Sequence, residues 1–378
     1  MSHPLFSAFQ LRSVTFPNRI GVSPMCQYSA EDGFANDWHV VHLGCRAQGG
    51  AGLVMLEASA VLPEGRISSA DLGIWKDHHI PALERIASFI RSQGARAGIQ
   101  LAHAGRKASV TAPFGGERLL TVEEGAWTPV APSAIPFSAR HAMPQALDQA
   151  GIDAIVEAFA QAANRALTAG FDLVEIHAAH GYLLHEFLSP LANHRSDNYG
   201  GSFSNRIRLL REVVDAVRSQ WPEHLPLSVR VSATDWAEGG WAIDDSVELA
   251  RELRQQGVDV IDVSSGGMVP DAKVPVAPGY QVPFAARIRT EAGIPTMAVG
   301  MITDPIQANA IIESGQADFV LLAREMLRDP YWPLHAAAAL SDPAGWPQQY
   351  LRAAPPHSPT RAAAERPIDS IACGEALR

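Results

Sequence analysis

The sequence predicts an α/β protein, a closed (β/α)8 TIM barrel with a long loop after strand 3 and a C-terminal extension. Three observations carry that expectation. Four segments, Gly49 to Leu56, Ala169 to Ile176, Gln256 to Val263 and Gly315 to Leu322, repeat one phrase in which a small or polar turn leads into a short apolar run. Stretches with apolar residues at helical spacing lie between such runs, so strand and helix alternate. No Gly-x-Gly-x-x-Gly joins an early strand to a helix, which speaks against the competing architecture, an open doubly wound sheet.

Along the chain, Arg19 to Ser23 supplies the first strand, Gly49 to Leu56 the second and Arg96 to Leu101 the third. From Arg106 to Leu147, Pro, Gly, Ser and Ala recur with neither period, which reads as a long loop able to wall the open face. Ile152 to Thr168 has helical spacing and stops just before a glycine, and Ala169 to Ile176 follows as the fourth strand. A helix over Asn205 to Gln220 leads to the strand Leu227 to Ser232, and a helix over Asp245 to Gln255 leads to Gln256 to Val263. Pro295 to Val299, the helix Pro305 to Glu313 and Gly315 to Leu322 bring the strand count to eight, the number that closes such a barrel. One catalytic domain is expected over residues 1–352. Ala353 to Arg378, rich in Pro, Ala and Arg, is expected to be a peripheral tail.

Composition narrows the function. A hydrophobic fraction of 47% is enough for one large core, and a formal net charge of -10 disfavours a surface that tracks nucleic-acid phosphates. The three cysteines, Cys26, Cys45 and Cys373, are too few for a four-thiolate iron-sulfur cluster and fit a reducing, cytoplasmic compartment. Neither a signal peptide nor a membrane span is expected, since the N-terminus lacks a basic segment leading into an apolar one and no run of about 20 apolar residues occurs.

The richest chemistry lies in His177-Ala-Ala-His180-Gly-Tyr182, directly after the apolar run Phe171 to Ile176. Two imidazoles and a phenol thus gather at the end of strand 4, on the open face where barrels do chemistry, and they suit a carbonyl oxygen that gains charge. A metal reading stays open at this point. His at i and i+3 can both bind zinc, with His103 or Asp235 completing the set, and the alternative function is a zinc-dependent TIM-barrel hydrolase. Arg230, in the middle of Leu227 to Ser232, opposes it, because a fixed cation repels a metal ion and seeks an anion. A purely structural ion pair of Arg230 with Glu57 or Glu175 is the plainer reading of that residue. Ser23-Pro24-Met25-Cys26-Gln27-Tyr28 and Gln100-Leu101-Ala102-His103 add an amide, a thiol and a second phenol, a hydrogen-bonding frame for a flat heterocycle. At the ends of the last two strands, Gly300 and Ala323-Arg324 offer backbone amides and a guanidinium for a phosphate.

On these residues the chain resembles the old yellow enzyme family of flavin-dependent ene-reductases, within its bacterial thermophilic-like group, which includes xenobiotic reductases. The resemblance covers roughly Pro4 to Arg352 and is most specific in Ser23 to Tyr28, Gln100 to Lys107, His177 to Tyr182 and Leu188 to Arg206. It implies a non-covalent FMN, with Ser23, Pro24, Met25 and Cys26 along the isoalloxazine, Ala58 beside it, Gln100 at the pyrimidine edge and Arg230 by N1 and O2. Gly300, Ala323 and Arg324 would then hold the phosphate. It also implies NADPH or NADH as hydride donor and small electron-poor alkenes as substrates. His177 and His180 would hold the substrate carbonyl oxygen, Tyr182 would protonate the α-carbon, Tyr28 would orient the substrate, and Cys26 would tune the flavin. Arg352, by the same resemblance, reaches into the site of a neighbouring subunit in a homodimer or homotetramer.

Overall fold

Eight parallel strands close into a ring in the computed structural model, which describes residues 3–343 and 345–355. They are β1 (Ile20–Val22), β2 (Leu53–Ala60), β3 (Arg96–Ala102), β4 (Leu173–Ala178), β5 (Leu227–Ser232), β6 (Val260–Ser264), β7 (Thr296–Val299) and β8 (Phe319–Leu322). They run in sequence order around the barrel, and β8 pairs with β1 to complete it. Eight longer helices follow them: α1 (Asp37–Gln48), α2 (Ile80–Ser92), α3 (Gln149–Thr168), α4 (Arg208–Gln220), α5 (Ile243–Gln255), α6 (Val282–Ala292), α7 (Pro305–Glu313) and α8 (Trp332–Ala339).

The two-residue period of a strand divides the core into two layers. Leu53, Met55, Leu173, Val260, Met297, Phe319 and Leu321 share one buried cluster, inside the barrel. The alternate residues Val54, Leu56, Val174 and Ile176 belong to another, with helix residues such as Ile86, Ile90 and Phe159. A small hairpin, Phe9–Leu11 with Val14–Phe16, joins the inner cluster. Phe9 and Phe16 meet Phe319 edge to face at 5.2 and 5.1 Å, and Arg12 pairs with Asp259 at 2.6 Å. The hairpin stoppers the N-terminal end of the barrel, and chemistry is left to the other end.

Several boundaries differ from the sequence expectation for local reasons. The strands read as starting at Gly49, Ala169, Gln256 and Gly315 begin at Leu53, Leu173, Val260 and Phe319. Their first residues are consumed by turns such as that at Gly257, whose φ of 84° lies in the left-handed region. The helix read over Asn205 to Gln220 divides at Ile207 into Phe203–Arg206 and α4. Ser202 caps the first piece, and Arg206 reaches back to the carbonyl of Leu188 at 2.8 Å, tying that turn to the segment after β4. The hairpin and helices α1, α2, α6 and α8 were not legible as elements. The loop from Arg106 to Leu147 holds only single turns and the paired dipeptides Val130–Ala131 and Gln145–Ala146.

Within the expected tail, residues 356–378, Cys373 among them, lie outside the described residues. Among the described residues, no helix is long and apolar enough to cross a membrane.

Candidate active site

Strand register assembles the site. Ala58 lies opposite Gln100, Gln100 opposite Glu175, and Glu175 opposite Ser228. Nearer the open end, His177 lies opposite Arg230, and Arg230 opposite Asp262. The register of β2 shifts between Leu56 and Ala58, so Glu57 is an extra residue that turns out of the ladder. Its carboxylate accepts the N–H of Gln27 at 2.6 Å and sits 3.2 Å from Nε2 of His39, which anchors the loop carrying Ser23 to Tyr28.

The rings of His177, His180 and Tyr182 converge. His177 stands 5.2 Å from His180 and 5.1 Å from Tyr182, edge to face in both cases. Nε2 of His180 lies 2.7 Å from the hydroxyl of Ser264, and the backbone N–H of His180 donates to Ser232. Burial, with Arg230 next in weight, holds both imidazoles well below their ordinary pKa, so both are neutral near pH 7. Burial holds the Tyr182 hydroxyl well above its usual value, and the phenol keeps its proton. Cys26 and Tyr28 pack with Tyr182 against Ile67, Ala104, Ala108 and Val110. Burial also pushes the Cys26 thiol up, so it is not a thiolate nucleophile.

Below the rings lies a buried charged frame. Arg230 pairs with Asp262 at 3.1 Å, not with Glu57 or Glu175 as the structural reading of the sequence had it. Glu57 is taken by Gln27 and His39, while Glu175 accepts from Gln100 and Ser228, each at 2.8 Å. Burial and the proximity of Glu175 raise the pKa of Asp262. The Arg230–Asp262 contact is too bent to be a hydrogen bond, which leaves the buried Nε of Arg230 without an acceptor. The buried hydroxyl of Ser23 also has no partner. A cation and a hydroxyl with unused capacity at the barrel mouth are what the acceptor atoms of a flavin ring require.

Two residues near the site were given no role from the sequence: Lys107, at the end of a quoted motif, and Glu186, which lies between two of them. Lys107 donates to the carbonyls of His180 and Gly267 at 2.7 and 2.5 Å, and its ammonium lies 4.1 Å from the ring centre of Phe137. Glu186, on the short helix Leu183–Leu188, accepts the N–H of Arg106 at 2.9 Å, and burial raises its pKa to about 8. A carboxyl with a raised folded pKa stabilises fully below its unfolded value, and this contribution is lost as pH rises through about 8. Glu186→Gln is therefore expected to melt at nearly the wild-type temperature at pH 5 and above it at pH 9, as followed by thermal denaturation at both values.

The zinc reading does not survive the geometry. Asp235 turns to His185 at 3.0 Å, Nδ1 of His103 accepts from Gly105, and Nε2 of His180 lies against Ser264. Among the described residues, no three His, Cys, Asp or Glu side chains converge on a metal-sized point. Gly300 follows β7, and Ala323-Arg324 follow β8, with the Arg324 side chain exposed. Arg352 is exposed on the turn Gln348–Ala353, whose Tyr350 packs 6.2 Å from Tyr331. In its own chain it does not join the His177, His180 and Tyr182 group.

Comparison with known proteins agrees with this arrangement. The NADH:flavin oxidoreductase / NADH oxidase family matches residues 4–342. The NADPH dehydrogenase of Geobacillus sp. (strain WCH70) is 50% identical over 354 residues, which cover 93% of this chain and 99% of that one. The NADPH dehydrogenase of Listeria innocua serovar 6a is 49% identical over 351 residues, covering 92% and 98%. Among solved structures, morphinone reductase superposes with a TM-score of 0.76 at 28% identity over 90% of each chain. The chain therefore belongs to the NADH:flavin oxidoreductase family, that of old yellow enzyme, and is an FMN-containing, NAD(P)H-dependent flavin oxidoreductase.

Proposed function

We propose that the protein is an ene-reductase, which adds hydride to the β-carbon and a proton to the α-carbon of an α,β-unsaturated carbonyl or similarly activated alkene. The observation that carries this reading is the convergence of two neutral imidazoles and one protonated phenol at the open end of the barrel. Bound FMN supplies the redox chemistry, taking hydride from NADPH or NADH and passing it to the alkene.

The chain binds, orients and protonates. Ser23, Pro24, Met25, Cys26, Ala58, Gln100 and Arg230 would hold the flavin ring, and Gly300, Ala323 and Arg324 its phosphate. The fixed charge of Arg230 favours negative charge on that ring, because a guanidinium stays protonated even when buried. His177 and His180 donate to the substrate carbonyl oxygen. With His180 held by Ser264 and His177 by the Ala179 N–H, they meet the charge developing there without reorganising water. Tyr182 delivers its proton to the α-carbon, and Tyr28 helps to orient the substrate. Arg352 would act on the site of a neighbouring copy in a homodimer or homotetramer, in keeping with its exposure.

Protein reduced anaerobically with NADPH tests the reading. Cyclohexenone or N-ethylmaleimide should reoxidise it in the absence of oxygen, whereas reoxidation by oxygen alone would leave a flavin store without this activity. Cys26→Ser is expected to change both half-reaction rates by less than about tenfold and to preserve turnover, because the protonated thiol packs beside the site and supplies no nucleophile. Rapid-mixing kinetics of the two half-reactions would check this.

A further inference from the structure

His180 adopts a left-handed backbone, with φ of 59°, and is followed by Gly181 at 71°. A β-carbon at Gly181 would stand 2.2 Å from the carbonyl oxygen of Gly267, so only glycine fits. A left-handed non-glycine residue persists where its surroundings over-determine it. Here both ends of the His180–Gly181 peptide are clamped. Its carbonyl accepts from Lys107 at 2.7 Å, and its N–H donates to Nδ1 of His185 at 2.9 Å.

The second clamp fixes the chemistry of His185. A backbone N–H aimed at Nδ1 requires a lone pair there, so the ring proton is on Nε2. Nε2 lies 3.0 Å from Oδ1 of Asp235, and neither residue has any solvent exposure. The contact is bent, so its attraction is chiefly electrostatic. The other oxygen of Asp235 accepts from the Ser189 hydroxyl at 2.6 Å and the Trp241 N–H at 2.8 Å, and the carboxylate is thereby locked in place. The two residues come from different elements, the short helix after β4 and the loop after β5.

We propose that the His185–Asp235 pair is a positioning unit for the active site: it keeps Nδ1 of His185 as an acceptor for Gly181, which fixes the turn that aims His180 beside His177 and Tyr182. The inference rests on the ene-reductase reading, in which those imidazoles bind the substrate oxygen. Asp235 sets the tautomer. Without its charge, the ring proton can move to Nδ1, which would then oppose the Gly181 N–H.

Phenol binding to the flavin-loaded enzyme reads this directly, because a phenol held over the flavin gives a long-wavelength charge-transfer band. The wild type, Asp235→Asn, His185→Leu and His185→Asn would be titrated with a para-substituted phenol and their melting temperatures measured. Asp235→Asn and His185→Leu are expected to weaken phenol binding by about tenfold or more, as loss of an orienting partner does elsewhere. His185→Asn keeps an acceptor close to the position of Nδ1 and should stay within about threefold of the wild type. If His185→Leu does not fold, the two asparagine variants decide. Equal phenol affinity in the wild type and Asp235→Asn would overturn the positioning role. A wild type that gives no band would instead refute the reading of His177 and His180 as the oxygen site, and the two failures are distinct.

Discussion

Replacing His177 and His180 together by alanine is expected to lower kcat/KM for cyclohexenone by about a thousandfold or more, with flavin still bound and its reduction by NADPH little changed. Removing one preorganised donor to a developing oxyanion typically costs about 10²–10³. The two rings stand edge to face at 5.2 Å, close enough that their losses will not simply multiply. Because burial keeps both imidazoles neutral, their contribution is one of hydrogen bonding, and it should be steady between pH 6 and 9. The sign follows from the shift: a lowered pKa means protonation only in acid, below the range assayed. Single and double variants assayed across that range would check both points. Half-reaction rates give the sharper test, since the reductive half-reaction should survive and the oxidative one should not.

Tyr182→Phe should have the second largest effect, slowing the step that consumes the alkene by about 10²–10⁴, the usual range for loss of a positioned general acid. The ring packs 5.1 Å from His177, and phenylalanine preserves that contact while removing only the hydroxyl. Neither phenol binding nor melting temperature should change much. The phenol proton is retained because burial disfavours a phenolate. Acceptors whose reduced form needs no proton on carbon, such as quinones, should therefore be reduced by Tyr182→Phe at close to the wild-type rate. A loss equal for cyclohexenone and for a quinone would point to a packing role instead.

Much of this was legible in the sequence where one local pattern determines one structure. Leu227–Ser232 is a strand with the boundaries read from its apolar run, and α7 starts and ends where Pro305 and Glu313 indicate. His177, His180 and Tyr182 could be gathered from sequence alone because a single strand end carries all three. What stayed hidden depends on partners distant in the chain. Asp262 is an apolar-strand aspartate whose role appears only when β6 pairs with β5 and sets it beside Arg230. Lys107 stands in a recognisable motif and Glu186 between two of them, yet their contacts join segments far apart in sequence. Helix α1 escaped for another reason: His39, His42 and Cys45 blur its apolar stripe, and its start is set by a cap in which Asn36 accepts from Trp38 and His39 answers from the third position. The N-terminal hairpin has strands of three residues each, too short for any period to emerge, and only its packing on Phe319 gives it a purpose.

The most direct trial of the account is to turn over cyclohexenone anaerobically with nicotinamide deuterated at the transferred position and to locate the label in the product by NMR. Deuterium on the β-carbon of cyclohexanone, with hydrogen from water on the α-carbon, is the predicted result. Label on the carbonyl carbon of an alcohol, or no labelled product from a protein that has been reduced, would contradict it.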